Sequence, residues 1–122
     1  MIRKLKTFCA TCLLAGAMPV HAEIRILATT ADWGALATEL GGGKVNVYTA
    51  TSALQDVHQV NAKPSLVARA RTADLVVANG ADLEVGWLPV LLSESGNPKI
   101  RPGTPGYFEA AANVKLLDVS GT

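Results

Sequence analysis

Ala73-Asp74-Leu75-Val76-Val77-Ala78-Asn79-Gly80 is the stretch on which the fold reading turns. Four apolar residues run without a break between a charged residue and an Asn-Gly turn. A strand with one wet face alternates apolar and polar residues, whereas an unbroken apolar run of this length suits a parallel strand covered on both sides. Parallel neighbours need crossover connections, usually helices. The flanking sequence should therefore alternate strand and helix.

It does so upstream. Ile24, Ile26 and Ala28 alternate with Arg25 and Leu27, which predicts a short strand. Thr29 and Asp32 offer a capping box ahead of Trp33, Leu36, Ala37 and Leu40 at helical spacing. Gly41 to Gly43 stop that helix, and Lys44 to Ala50 read as a second strand, with Val45 and Val47 on one face. Thr51 to Lys63 is a polar loop. Pro64 and Ser65 then open a helix through Thr72, whose apolar stripe is Leu66, Val67 and Ala70.

Downstream, Leu83, Trp87 and Leu91 fall on one side of a further helix that Pro89 kinks or restarts. Gly96 to Gly106, broken by Pro98, Pro102, Gly103 and Pro105, reads as a connecting loop, and Val114 to Val119 resumes strand character. The expected fold is a layered α/β lobe with a mainly parallel sheet flanked by helices. Ligands of such sheets lie beyond the carboxyl ends of the strands, where the loop 51–63 falls.

The amino-terminal 22 residues stand apart from this pattern. Arg3, Lys4 and Lys6 precede an apolar stretch from Phe8 to Val20 and the small-x-small triplet Val20-His21-Ala22, the layout of an export signal cleaved after Ala22. The run is shorter than the roughly 18 to 20 residues that span a bilayer, and Thr11, Gly16 and Pro19 interrupt it. Cys9 and Cys12 lie inside it, so their CxxC spacing reads as incidental rather than redox-active, and neither has the small-residue context of a lipid-anchored cysteine. Removing Arg3, Lys4 and Lys6 from 11 basic residues leaves 8 against 10 acidic ones, a formal charge of −2. No basic footprint for nucleic acid remains. A periplasmic product comprising residues 23–122, without a membrane span, is the expectation.

His58 is the only histidine beyond the signal. A neutral imidazole in an oxygen-rich loop can ligate zinc or manganese, and Asp56, two residues earlier, could orient its second nitrogen. On chemistry alone, a single loop histidine is more commonly a solvated surface residue, and a zinc site needs three or four protein ligands.

Whole segments add to this. Gln55-Asp56-Val57-His58, followed by Pro64-Ser65, then by Ala73 to Gly80 and Leu83-Glu84, resembles the amino-terminal lobe of the metal-binding solute-binding proteins of ABC importers. The resemblance implies zinc or manganese as transported ligand, an importer permease as membrane partner, and His58 at the family's first ligand position. Val57 stands where the family commonly has proline. Such proteins join two α/β lobes by one long helix, with the remaining ligands supplied later in the chain. Here the sequence reaches Leu116-Leu117-Asp118-Val119 with no second histidine, so a truncated fragment is expected and the other ligands have no counterpart.

Catalytic readings find little support. Gly41-Gly42-Gly43-Lys44 continues into Val45 rather than Ser or Thr, and its glycines follow a helix instead of opening one, unlike a phosphate loop. There is no Gly-x-Ser-x-Gly elbow, and no serine context for His58 to serve. Trp33 and Trp87 read as core residues, and Arg69 and Arg71 as a solvated helix face. The protein is expected not to be an enzyme. Two functions stay open: metal capture for an importer, or a small exported interaction module that binds no metal.

Overall fold

The run Leu75–Ala78 is a strand near the middle of a four-stranded parallel sheet. The structure, a computed structural model, describes residues 16–18 and 21–117. The proposed signal over residues 1–22 falls mainly outside the described residues, as do the last two residues of the strand expected at 114–119. Among the described residues, no helix is long and apolar enough to cross a membrane.

The elements are β1 (Ile24–Ala28), α1 (Ala31–Gly41), β2 (Val45–Thr49), α2 (Pro64–Thr72), β3 (Leu75–Ala78), α3 (Leu88–Ser95) and β4 (Tyr107–Glu109), in the sheet order β2-β1-β3-β4. Leu27 pairs in register with Val76, and Val76 with Tyr107. Side chains alternate between faces, so Leu27, Val76 and Ala78 share one face while Ile26, Ala28 and Val77 share the other. Both sets are buried. That double burial is why β3 carries no polar alternation.

The two faces are covered unequally. On one, Leu27, Val76 and Ala78 join Leu66 and Ala70 of α2, Trp87, and Leu88, Leu91 and Leu92 of α3 in one apolar cluster closed by Ile100. The other face lies under α1, which packs mainly against β2 and β1. Gly34 is the only buried residue of α1, and a Cβ there would collide with Thr49 Oγ1, so the helix sits on the sheet by backbone approach. Leu36 and Leu40 of its expected stripe are 43% and 79% exposed.

Four local expectations need correction. Thr30, not Thr29, precedes α1, and no side-chain capping bond forms there; Thr29 is instead buried, with its hydroxyl donating to Glu84. The helix expected from Leu83 begins only at Leu88, with Pro89 in its first turn: residues 80–87 run as successive turns closed by bonds between residues three apart, and Trp87, at φ −142°, departs from helical geometry. The expected loop from Gly96 contains a 3₁₀ turn, Pro98–Ile100, whose Ile100 is fully buried. The last strand is Tyr107–Glu109, while residues 114–117 form no strand. Gly106 lets that strand approach: its carbonyl accepts the Val76 amide at 2.8 Å, starting the ladder with β3.

Candidate metal centre

The chain enters the sheet at β1, crosses to β2 on one side, then returns past β1 to β3 on the other. The crevice between β1 and β3, beyond their carboxyl ends, is the switch point where ligands of open α/β sheets bind. Two segments border it, the loop after β2 and the turn after β3.

The loop 51–63 leaves β2 through a fixed corner, where the Thr51 hydroxyl donates to the Thr29 carbonyl at 2.8 Å. Asp56 then organises its centre. One carboxylate oxygen, Oδ1, accepts the backbone N–H of His58 at 2.9 Å and lies 2.9 Å from His58 Nδ1, while the Asp56 carbonyl accepts the Gln59 amide. This is an Asx turn, the local geometry aspartate favours in loops. The backbone bond from His58, then the side-chain bond, hold the Asp56 carboxyl below its ordinary range. An ionised carboxylate only accepts, so the contact is a hydrogen bond in the tautomer whose proton sits on Nδ1, the one that leaves a lone pair on Nε2.

His58 is well exposed, 67% at the side chain, and Asp56 59%. Among the described residues, the ring has no hydrogen-bond partner besides Asp56, and no group of three or more His, Cys, Asp or Glu side chains could hold a metal together. Among the described residues, the pair therefore presents one imidazole nitrogen beside one carboxylate and no fuller donor set.

Glu84 is the residue that sequence reasoning passed over, although the pair Leu83-Glu84 was part of the resemblance. It is 3% exposed. Its Oε1 accepts the Thr29 hydroxyl at 2.6 Å and the Asn79 amide at 2.7 Å, and its Oε2 accepts the Gly80 amide at 3.0 Å. The carboxylate thus ties the end of β1 to the turn after β3. Gly80 has φ +80°, the left-handed region that favours glycine, and a Cβ there would also displace the Glu109 side chain. The signal in the sequence was Asn79-Gly80 followed four residues later by an acid set between Leu83 and Val85.

Trp33 is half-buried, and its Nε1–H reaches Asn79 Oδ1 at 3.3 Å. It lines a crevice of about 400 Å³ at the switch point with Thr51, Gln55, Val57 and Leu83. A separate cleft of about 600 Å³ lies between Glu84, Glu109, Tyr107, Leu88 and Leu92, and His58 lines neither it nor the switch-point crevice. Burial, then the negative charges of Glu109 and Glu84, push the Tyr107 hydroxyl above its ordinary range. Arg69 stacks over Tyr48 at 4.8 Å rather than standing free in solvent.

An open parallel sheet with a carboxylate-braced histidine beyond its second strand defines a class, the amino-terminal lobe of a metal-type periplasmic solute-binding protein. The chain belongs to the ZnuA family, the periplasmic component A of the zinc-uptake complex, whose model matches residues 26–120. In fold it is similar to the periplasmic metal binding protein from Candidatus Liberibacter asiaticus, at TM-score 0.65 and 20% identity over 80% of this chain and 34% of that one. The Mn-bound form of that protein superimposes at TM-score 0.64 with the same identity and coverage. The Zn(II)-bound ZnuA-like domain of Streptococcus pneumoniae AdcA is similar at TM-score 0.62 and 22% identity, over 79% of this chain and 34% of that one. The chain thus spans about a third of the length of these structures. No curated protein matches it.

Proposed function

We propose that this protein captures zinc or manganese in the periplasm for delivery to the permease of an ABC importer, supplying one lobe of the binding site and catalysing no reaction. Residues 1–22 serve as the export signal and residues 23–122 form the lobe. His58 contributes a single neutral nitrogen, Nε2. The observation that carries this reading is the 2.9 Å contact between His58 Nδ1 and the Asp56 carboxylate, which supports the tautomer that leaves Nε2 able to ligate a metal. Family membership and the Mn- and Zn(II)-bound structural relatives support it.

One donor leaves most coordination positions to water. The chain of this length should therefore bind zinc with a Kd weaker than about 1 μM, or about 8 kcal/mol, short of the roughly 10–16 kcal/mol of a zinc finger. Competition titration against a chromophoric chelator, comparing the wild type with His58→Ala, tests this. Loss of the residual binding in the variant supports the reading. Equal binding in the two proteins removes His58 from the site and favours the exported interaction module that binds no metal.

A further inference from the structure

A buried indole N–H needs an acceptor, and any nearby carbonyl would satisfy it. In this protein the acceptor is informative. Trp87 is 2% exposed within the main apolar cluster, and its Nε1–H donates to the Val57 carbonyl at 2.7 Å, across 30 residues of sequence. That carbonyl belongs to the peptide unit joining Val57 to His58. The N–H of the same unit donates to Asp56 Oδ1. One peptide plane is thus gripped at both ends, by the core through its oxygen and by the Asx turn through its nitrogen.

Two further observations point the same way. Among the described residues, the Trp87 bond is the only hydrogen bond that leaves the segment 52–62; the others there close on the segment itself or on its flank. Gly86 supports the next peptide, since a Cβ on it would lie 3.3 Å from the His58 carbonyl oxygen. Residues 86 and 87 lie beneath the exposed middle of the loop, Leu54 to Gln59, while Val60 and Ala62 further along pack against the apolar cluster.

We propose that Trp87 is a positioning residue for the metal-binding loop: its indole N–H fixes the Val57–His58 peptide and, through it, the direction of the His58 imidazole. The inference rests on the reading of His58 as a ligand. Trp87 never touches the metal. It reduces the number of loop conformations among which the ring must be found, so that the donor is set before a metal arrives.

The test uses the 122-residue chain, isotopically labelled, with two replacements at position 87. Trp87→Phe removes the donor and some volume. Substitution by 3-benzothienylalanine exchanges the ring N–H for sulfur at nearly constant shape, and decides the matter if the Phe variant does not fold. In the folded variant, heteronuclear NOE values over residues 55–59 should fall to those of a mobile loop while β1 and β3 stay rigid. Zinc Kd, followed by the His58 ring signals, should rise about tenfold, the low end of what outer-shell partners contribute. A purely structural role would leave the NOE profile of the loop and the Kd as they are, and that result overturns the proposal. His58→Ala separates the two claims. If it abolishes zinc binding while the Trp87 variants bind normally, the ligand reading survives and positioning by Trp87 is refuted. If it binds as the wild type does, the ligand reading falls and the positioning role falls with it.

Discussion

Two carboxylates of this lobe, Asp56 and Glu84, both accept backbone N–H groups, yet they act in opposite settings. Asp56 sits in an exposed turn and shares one oxygen between the amide and the ring of His58. Glu84 is buried and divides its oxygens among Thr29, Asn79 and Gly80, binding two strand ends together. Water can substitute for what Asp56 offers its neighbours, but nothing replaces Glu84. The same functional group is thus a tuning device on the surface and a fastening in the interior.

The strongest test of that contrast is Glu84→Ala. It leaves a hydroxyl and two amides without an acceptor, and should lower stability by about 3–5 kcal/mol. Against the roughly 5–15 kcal/mol of a whole domain, that is enough to shift or abolish the urea transition. A loss below about 1 kcal/mol would mean that water enters and Glu84 is no fastening. Asp56→Ala should show the converse, a zinc affinity reduced about 10- to 100-fold with the urea midpoint nearly unchanged. An equal drop in stability for both variants would dissolve the distinction.

Asp74 provides an intermediate case. The backbone N–H of Arg25 donates to its Oδ2 at 2.9 Å, and Lys99 approaches its Oδ1 at 3.4 Å. The Arg25 amide, chiefly, holds the Asp74 carboxyl below its ordinary value of 3.8, against opposing desolvation, with Lys99 assisting. A depressed folded-state pKa stabilises above the unfolded value and ceases to do so as pH falls through the folded one. Stability should therefore decline below about pH 4, and Asp74→Asn should flatten that part of the profile in urea titrations at stepped pH. The smallest effect is expected of Val57→Pro, which restores the residue common in the family and leaves the carbonyl that Trp87 binds. It should stabilise the chain by about 0.4–1 kcal/mol by narrowing the unfolded ensemble; destabilisation would show that the loop conformation at position 57 excludes proline.

The same contrast marks what the sequence disclosed. Patterns set by burial on two faces were legible: Leu75–Ala78 is the strand its composition required, and Pro64 opens α2. Elements decided by partners far along the chain were not. Tyr107–Glu109 is a strand because it pairs with Val76–Ala78, although it is only three residues long and directly follows a stretch of Pro and Gly; the longer Val114 segment pairs with nothing among the described residues. The Leu83, Trp87, Leu91 spacing suggested one helix, but Glu84 turns back to the Asn79 and Gly80 amides and Trp87 is non-helical at φ −142°, so the helix starts at Leu88. For the site, the Asp56–His58 pairing followed from two residues only two positions apart. The Trp87–Val57 bond was invisible, since a backbone acceptor leaves no trace in side-chain identity.

The position of β1 in the sheet carries a consequence for how the molecule forms. The first strand to emerge is an inner one, flanked by β2 and β3, and the Arg25–Asp74 bond joins residues 49 apart. Until Leu75–Ala78 has appeared, β1 has at most one partner and its second edge stays open. Such long-range closure makes assembly late and comparatively slow. Chain threaded through a narrow conduit would remain pliant for most of its passage, and would lock only once Leu75–Ala78 had come through.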